Sequence, residues 1–367
     1  MLKFIHAADF HLDAPFTALS GEEARSRREE QRRLPERLAG LCEREGADLL
    51  LLSGDLLDGE RVYQETLQAL SAALGRVRAR VFLAPGNHDF YSPRSPYAGV
   101  KWPENVHIFT SSTLERVELP ELGCTVWGAA FTAPYCDESP LHGFTAPRDG
   151  GRHLMVLHGD VDGRGRYGSI TQEDISESGL TYLALGHVHA CSGLRRAGET
   201  WWAYPGCAEG RGFDELGDKG VLAGAVGEDG AVEARFVPLA ERRYQILTVD
   251  LTGADDPAAA LAAALPRDGG RDIVRILLTG ESGVEGLDLG ALTAVAQPYF
   301  ASVTLRDHTR LRRELWERLE ENSLTGLFLR AMRRRMDEAE DSAEREKLEL
   351  AARFGLAALE GREEVRA

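Results

Sequence analysis

The chain has 367 residues, of which 43% are hydrophobic and 28% are charged, so it is long enough for one large catalytic domain with smaller additions. Its formal net charge of -16 disfavours a protein whose whole surface binds nucleic acid, because such a surface repels a polyanion. Residues 1–8 lack the apolar core of a secretory signal, and no apolar run has the length of a membrane helix. The five cysteines include no Cys-x-x-Cys pair, which argues against a disulfide framework or a zinc knuckle and favours a cytoplasmic protein.

The first part of the chain alternates strand-sized apolar runs with helix-compatible stretches. The runs end at Gly, Asp, Asn or His and cover residues 4–8, 49–52, 81–84, 154–157 and 182–185. Residues 22–45 and 62–74 have the spacing of amphipathic helices. Further strands are predicted at residues 106–109, 124–130, 201–204, 221–226 and 232–237. This order predicts an α/β fold, a two-sheet β-sandwich flanked by helices.

The composition changes after about residue 243. Residues 244–306 predict a small α+β unit, with strands at 245–251, 273–279 and 302–306 and helices at 257–265 and 287–296. Residues 307–367 are highly charged and predict a helical tail. One apolar stripe of this tail is predicted to contain Leu324, Leu327, Phe328, Ala331 and Met332.

Polar clusters come directly after five of the apolar runs. They are Asp9-Phe10-His11, Gly54-Asp55-Leu56-Leu57-Asp58, Gly86-Asn87-His88-Asp89, His158-Gly159 and Gly186-His187-Val188-His189. Carboxylate, amide and imidazole groups are donors suited to divalent transition metals. Alternate side chains of an extended segment point the same way, so the donors of the first cluster, and those of the last, can each share a site. Loops at the ends of rigid strands are where such sites are commonly built.

Seven of these residues predict two metal sites that share the carboxylate of Asp55. One metal would take Asp9, His11, Asp55 and His189, and the other would take Asp55, Asn87, His158 and His187. Two metals roughly 3.5 to 4 Å apart suit in-line displacement at phosphorus, with a water between them as the nucleophile.

Two further residues are predicted to take part in catalysis without binding metal. His88 is next to a ligand and is expected to protonate the leaving oxygen as general acid. Asp89 is expected to keep His88 oriented and cationic. Asp58 is expected to brace its turn rather than to bind a metal.

The order of the five clusters resembles the calcineurin-like metallophosphoesterase superfamily. Residues 8–16, 204–206 and 210–215 are similar to the YhaO and SbcD type branch of bacterial DNA-repair exonucleases, and the likeness covers essentially the whole chain. The resemblance implies a metallophosphoesterase nuclease domain at residues 1–243, a capping domain at 244–306 and a tail at 307–367. It also implies a manganese-dependent DNA exonuclease or endonuclease whose tail docks on an SMC-like coiled-coil ATPase.

Several alternatives stay open from the sequence. The acidic net charge favours a phosphodiesterase or phosphatase acting on small molecules. A scaffold that binds a coiled-coil partner without catalysis is a third alternative, and a homodimer is open as well. The oxygen and imidazole donors suit Mn²⁺, Fe²⁺ or Zn²⁺. Arg164 and Arg166 lie in a Gly-rich loop that either contacts a phosphate backbone or is simply solvated.

Overall fold

A computed structural model describes residues 1–59, 61–163, 165–282, 286–311, 316, 318–339 and 341–359. The chain divides into two compact units. The first comprises Met1–Ile246, Gly269–Val274 and Phe300–Ser302, and the second comprises Leu247–Asp268, Arg275–Tyr299 and Val303–Ala367. The domain boundaries predicted after residues 243 and 306 stay predictions. Among the described residues, we find no helix with the length and apolar character needed to span a bilayer.

The first unit contains most of the strands. They are β1 (Leu2–Ala7), β2 (Leu49–Leu52), β3 (Arg80–Leu83), β4 (Val106–Ile108), β5 (Glu115–Leu119), β6 (Cys124–Gly128), β7 (Cys136–Glu138), β8 (Arg152–His158), β9 (Tyr167–Ser169), β10 (Tyr182–Gly186), β11 (Arg195–Ala197), β12 (Thr200–Ala203), β13 (Gly220–Val226) and β14 (Val232–Pro238). Its helices are α1 (Gly21–Gln31), α2 (Leu34–Glu45), α3 (Gln64–Arg76) and α4 (Gln172–Glu177).

Two six-stranded sheets form a sandwich. The order is β14-β13-β1-β2-β3-β4 in the first sheet and β11-β12-β10-β8-β6-β5 in the second. The central strands β1, β2 and β3 are parallel, as are β6, β8, β10 and β12. The carboxyl ends of parallel neighbours meet at one edge of a sheet, so the loops after these strands lie together.

Side chains alternate between the two faces of a buried strand, and this explains why one strand contributes to two hydrophobic cores. Leu49 and Leu51 of β2 belong to the core between the sheets, together with Val126 and Val156 of the second sheet. Leu50 and its alternate neighbours pack instead against the apolar faces of α2 and α3. Successive side chains of a strand point to opposite faces, so an all-leucine strand serves both cores. The predicted two-sheet β-sandwich flanked by helices is confirmed.

The helical stretch predicted at residues 22–45 is two helices, not one. Ser20 and Glu23 form a capping box that begins α1. The break at residues 32–33 has a covalent cause, because Pro35 lacks the N–H that a continuous helix would donate to the carbonyl of Gln31. The second helix ends at Gly46, whose φ of 63° is the left-handed cap that favours glycine.

The remaining elements come after the sandwich along the chain. They are β15 (Arg243–Asp250), α5 (Pro257–Ala264), β16 (Asp272–Thr279), β17 (Glu281–Ser282), α6 (Leu289–Ala296), β18 (Ser302–Asp307), β19 (Arg310–Leu311), α7 (Leu324–Glu338) and α8 (Ser342–Leu359). Strands β15, β16 and β18 form a three-stranded sheet with the order β15-β16-β18, and α5 packs on α6.

The apolar stripe predicted for the tail is partly wrong. Helices α7 and α8 pack around Leu329 and Met332 of α7 and Ala352 and Leu356 of α8. The predicted members Leu324 and Leu327 are 68% and 61% exposed. The predicted Phe328 and Met332 do belong to this cluster, and the prediction is wrong for the two leucines and for the exposed Ala331. Helical spacing alone does not say which of two adjoining apolar faces a partner helix covers.

A buried histidine joins the two sheets. His6 of β1 lies between the hydroxyl of Tyr182 on β10, at 2.8 Å from its Nδ1, and the carbonyl of Leu185, at 3.2 Å from its Nε2. The hydroxyl of Ser53 is 3.1 Å from the same Nε2. Burial lowers the pKa of His6 to about 3, so the imidazole is neutral in the folded protein.

We expect His6 to make the protein sensitive to acid. The unfolded imidazole takes up a proton below about pH 6.5, whereas the folded one does so only near pH 3. Its contribution to stability is therefore fully present above pH 6.5 and is lost as the pH falls toward 3, by about 1.4 kcal/mol per pH unit. His6→Gln should flatten the acid limb of the free energy of unfolding, measured by urea denaturation at several pH values.

The exposed His308 provides the control for this prediction. His308→Gln should leave the acid slope as it is in the wild type. An acid slope that is the same in all three proteins would show that His6 does not carry the effect.

Candidate metal centre

The five polar clusters meet at one end of the sandwich. Strands β1, β2 and β3 of the first sheet lead into Asp9, Asp55 and Asn87, while β8 and β10 of the second lead into His158 and His187. The amide of Asp9 donates to the carbonyl of Gly54 at 3.1 Å, which joins the loops after β1 and β2. Nδ1 of His158 is 2.9 Å from the carbonyl of Ser53, which joins the two sheets.

Several loop residues of the site have a left-handed backbone. The φ angles of Asp9, His11, Asp55 and His187 are 54°, 45°, 51° and 105°. Residues other than glycine rarely take these angles, at a cost of about 1 to 3 kcal/mol each, and they concentrate at functional sites. At Gly54 the φ is 85°, and a Cβ there would lie 2.6 Å from Nδ1 of His158. Glycine is therefore required where this loop passes under the histidine.

The first group of donors contains Asp9, His11 and His189. One donor atom from each lies within 4.8 Å of the others. Nε2 of His11 is 3.3 Å from Nε2 of His189, and Nε2 of His189 is 4.0 Å from Oδ1 of Asp9. Two imidazoles and a carboxylate that converge in this way fit a divalent cation.

A second group contains Asp9, Asp55 and His158, again within 4.8 Å. Nε2 of His158 is 3.4 Å from Oδ2 of Asp55 and 3.0 Å from Oδ1 of Asn87. The same Oδ2 of Asp55 is 3.8 Å from Nε2 of His11. Asp9 belongs to both groups, and Asp55 of the second group also lies near His11 of the first, so the shared carboxylate predicted at Asp55 stays a prediction.

His187 lies beside the second group without belonging to either of these two clusters of the described residues. Its backbone amide donates to both carboxylate oxygens of Asp9, at 3.1 and 3.2 Å. Its ring centre is 5.2 Å from that of His158. All seven predicted ligands are therefore neighbours in space, and their roles as ligands stay predictions.

The carboxylates and imidazoles of the site are buried close together, and this shifts their pKa values. Burial raises the pKa of Asp9 to about 7. Burial lowers the pKa of His158, but the carboxylates of Asp55 and Asp9 outweigh it and raise that pKa to about 9. For Asp55 the histidines outweigh burial and hold its pKa well below the usual range. Carboxylates and imidazoles that balance one another in this way fit two divalent cations, whose binding releases the imidazole protons.

His88 lies on the exposed rim of the site. Its backbone amide donates to Oδ1 of Asp55 at 2.9 Å, and its ring centre is 4.8 Å from that of His11. Among the described residues its side chain has no hydrogen-bond partner, so its ring nitrogens are available to a substrate.

Asp89 has different partners from the predicted one. Its buried carboxylate accepts hydrogen bonds from the hydroxyl of Tyr97 and from four backbone amides, those of Asp55, Leu56, Leu57 and Gly86. Among the described residues it has no hydrogen bond to His88, so the predicted orienting role is corrected. A carboxylate within a turn binds the nearest backbone amides, and the identities of the neighbouring residues do not reveal which amides those are.

Three side chains, those of Asp58, Glu215 and Arg211, support the imidazoles of two predicted ligands. Nδ1 of His11 is 2.9 Å from Oδ1 of Asp58, so Asp58 supports an imidazole of another loop, whereas the sequence predicted that it braces its own turn. Nδ1 of His189 is 2.7 Å from Oε1 of Glu215. Arg211 joins the two carboxylates, at 3.4 Å from Asp58 and 3.0 Å from Glu215. Such contacts fix the tautomer and the direction of a ligating imidazole.

Sequence reasoning missed Glu215 and Arg211 as parts of the site. Both lie within residues 210–215, which the sequence singled out only as a resemblance. The segment comes several residues after β12 and carries no strand-end signal. Of the two loop arginines, Arg164 lies outside the described residues, and Arg166 pairs with Asp137 at 2.7 Å.

We expect loss of these supports to weaken metal binding. Glu215→Gln and Asp58→Asn replace the carboxylate that supports one histidine each with a neutral amide, a weaker acceptor, and such changes typically cost about 10- to 100-fold in metal affinity. Mn²⁺ titration by calorimetry on the purified variants measures this effect. Glu199→Gln, at a glutamate 91% exposed on its side chain, is the matched control. Equal Mn²⁺ affinities in the four proteins would contradict the supporting role.

Comparisons with known proteins agree with the geometry. Residues 2–191 match the family model described as calcineurin-like phosphoesterase. The chain is 30% identical over 297 residues to a Bacillus subtilis (strain 168) protein named "Uncharacterized metallophosphoesterase YhaO". The aligned region covers 76% of this chain and 72% of that protein. Calcineurin-like phosphoesterases use two divalent metal ions. The chain belongs to the calcineurin-like phosphoesterase family.

Proposed function

We propose that this metal-dependent phosphoesterase hydrolyses phosphodiester bonds in DNA. The observation that carries the proposal is the convergence of two donor groups on Asp55, with Oδ2 at 3.8 Å from His11 and 3.4 Å from His158. Two divalent ions bound there lower the pKa of water and neutralise charge that builds on the phosphate oxygens.

Different residues of the chain have different roles in the proposed reaction. Asp9, His11, Asp55 and His189 would hold one ion, and Asp55, Asn87, His158 and His187 would hold the other. Asp58 and Glu215 keep two of the histidines directed at the site. His88, exposed on the rim, donates a proton to the leaving oxygen.

DNA as the substrate is supported by the motif resemblance to bacterial DNA-repair exonucleases. On this proposal the protein is a manganese-dependent exonuclease or endonuclease subunit in DNA repair, located in the cytoplasm. Its partner is an SMC-like coiled-coil ATPase bound by the tail. Leu324 and Leu327 of α7, exposed among the described residues, are apolar side chains suited to such a partner.

A second candidate is a phosphodiesterase for small molecules. The net charge of -16 favours it, because long-range repulsion slows association with DNA but affects a small monovalent substrate much less. Both candidates use the same metal centre and differ in the substrate.

We expect Asp55→Asn and His88→Ala to separate metal binding from proton transfer. Asp55→Asn should lose Mn²⁺ binding and activity together. His88→Ala should keep Mn²⁺ binding and lower kcat by about 100- to 10,000-fold, the usual contribution of a general acid. Cleavage of end-labelled DNA with Mn²⁺, together with Mn²⁺ titration, measures both effects.

His142→Ala is the matched histidine control, since its side chain is 72% exposed and pairs with Asp174. It should cleave DNA like the wild type. Equal residual nicking by all variants would mean that the cleavage comes from a contaminant and would end the proposal. Turnover of bis(4-nitrophenyl) phosphate without cleavage of any DNA would favour the small-molecule candidate.

A further inference from the structure

We propose that a row of closely spaced, tilted rings beside the metal centre binds the base of an unpaired nucleotide. The row, here named the aromatic ladder, consists of His187, Tyr167, Tyr135 and the guanidinium of Arg166. The inference rests on the proposed function and names its substrate class as DNA with a single-stranded segment at the scissile bond.

The ladder runs from the metal centre to the surface. The ring centres of Tyr167 and His187 are 5.1 Å apart, with 33° between their planes. The ring of Tyr135 is 5.8 Å from that of Tyr167, and Cζ of Arg166 is 4.9 Å from the centre of the Tyr135 ring. His187 in turn is 5.2 Å from His158, so the ladder begins among the predicted ligands.

Backbone pairing holds the ladder in place. Strands β7 and β9 are parallel, with Cys136 opposite Tyr167, and the amide of Cys136 donates to the carbonyl of Arg166 at 2.9 Å. The amide of Asp160 donates to the carbonyl of Tyr167 at 3.2 Å. The strands position the rings, yet Tyr135 stays 52% exposed, which is unusual for a large aromatic side chain that only fills a core.

The charges around the ladder favour a flat, neutral group over a phosphate. Arg166 is already paired with Asp137 at 2.7 Å, and Glu138 in the same strand is exposed. A phosphate would meet these carboxylates, whereas a nucleobase would pack on the exposed part of the Tyr135 ring and on the guanidinium of Arg166, whose side chain is 66% exposed. Bases within a duplex have no free face, so the ladder selects unpaired nucleotides.

Binding of single strands tests the ladder. The probes are a labelled short oligothymidylate and an oligomer of the same length without bases, and the readout is fluorescence anisotropy with Mn²⁺. The His88→Ala protein is used throughout, since it retains the predicted metal ligands and slows cleavage. We expect the oligothymidylate to bind roughly tenfold tighter than the abasic oligomer. Adding Tyr135→Ala should abolish this preference, while Tyr135→Phe should keep it.

Tyr63→Ala is the matched control. Tyr63 is 53% exposed and has Arg32 over its ring at 5.0 Å, but it stacks on no histidine among the described residues. A preference that survives Tyr135→Ala, or that is absent from the starting protein, overturns the ladder. A lower melting temperature of the Tyr135→Ala protein with an unchanged preference assigns the ladder to bracing β7 and β9 alone.

The two proposals fail separately. DNA hydrolysis is judged by cleavage in the protein with His88 intact, and the ladder is judged by the ratio of the two affinities. Cleavage without a base preference removes the ladder only. A base preference without cleavage removes the DNA nuclease only, and absence of both binding and cleavage removes the two together.

Discussion

The carboxylate of Asp55 connects the parts of the site that would otherwise belong to separate sheets. It comes after a strand of the first sheet, yet its Oδ2 lies 3.4 Å from Nε2 of His158 at the end of a strand in the second. The same atom lies 3.8 Å from His11. With 2% exposure, this charge is stable only because protonated imidazoles, or metal cations bound by those imidazoles, lie around it.

The position of Asp55 depends on the turn that carries it. Asp89 accepts hydrogen bonds from the amides of Asp55, Leu56 and Leu57, and so holds the loop after β2 against the loop after β3. These bonds offset the left-handed backbone at Asp55, where φ is 51°. Asp89 therefore stabilises the loop that carries Asp55, and its buried carboxylate takes no direct part in the proposed reaction.

An acidic phosphoesterase can recognise DNA only through local features. The surface as a whole repels a polyanion, whereas metal ions bound among buried carboxylates present positive charge at one point. On the proposed function, a base packed on Tyr135 and Arg166 would add affinity that does not depend on net charge. Both proposed contacts would act on the nucleotide at the scissile bond, which would suit an enzyme that engages a strand end or a single-stranded segment.

Local sequence was enough to place the central strands of the sandwich and the donors at their ends, but not the short strands β7, β9 and β11 or the edge strand β5. Apolar runs that end in Asp, Asn, His and Gly predicted both, because local hydrophobicity and turn chemistry are properties of a few neighbouring residues. The nearness of Asp9 and Asp55 could be expected from the rule that parallel strands bring their carboxyl ends together, whereas His158 comes to them from the other sheet.

The tertiary structure alone decided which groups lie behind and beside those donors. Glu215 lies 26 residues from the histidine it supports, and the ring of Tyr135 contacts that of Tyr167 beside a two-stranded sheet. Asp89 accepts hydrogen bonds from backbone amides and makes none with its neighbour His88 among the described residues. Which face of α7 is buried was likewise settled by packing against α8. Such contacts join residues that are mostly distant in sequence, and they depend on the direction in which each side chain points. No local pattern of residues encodes those directions.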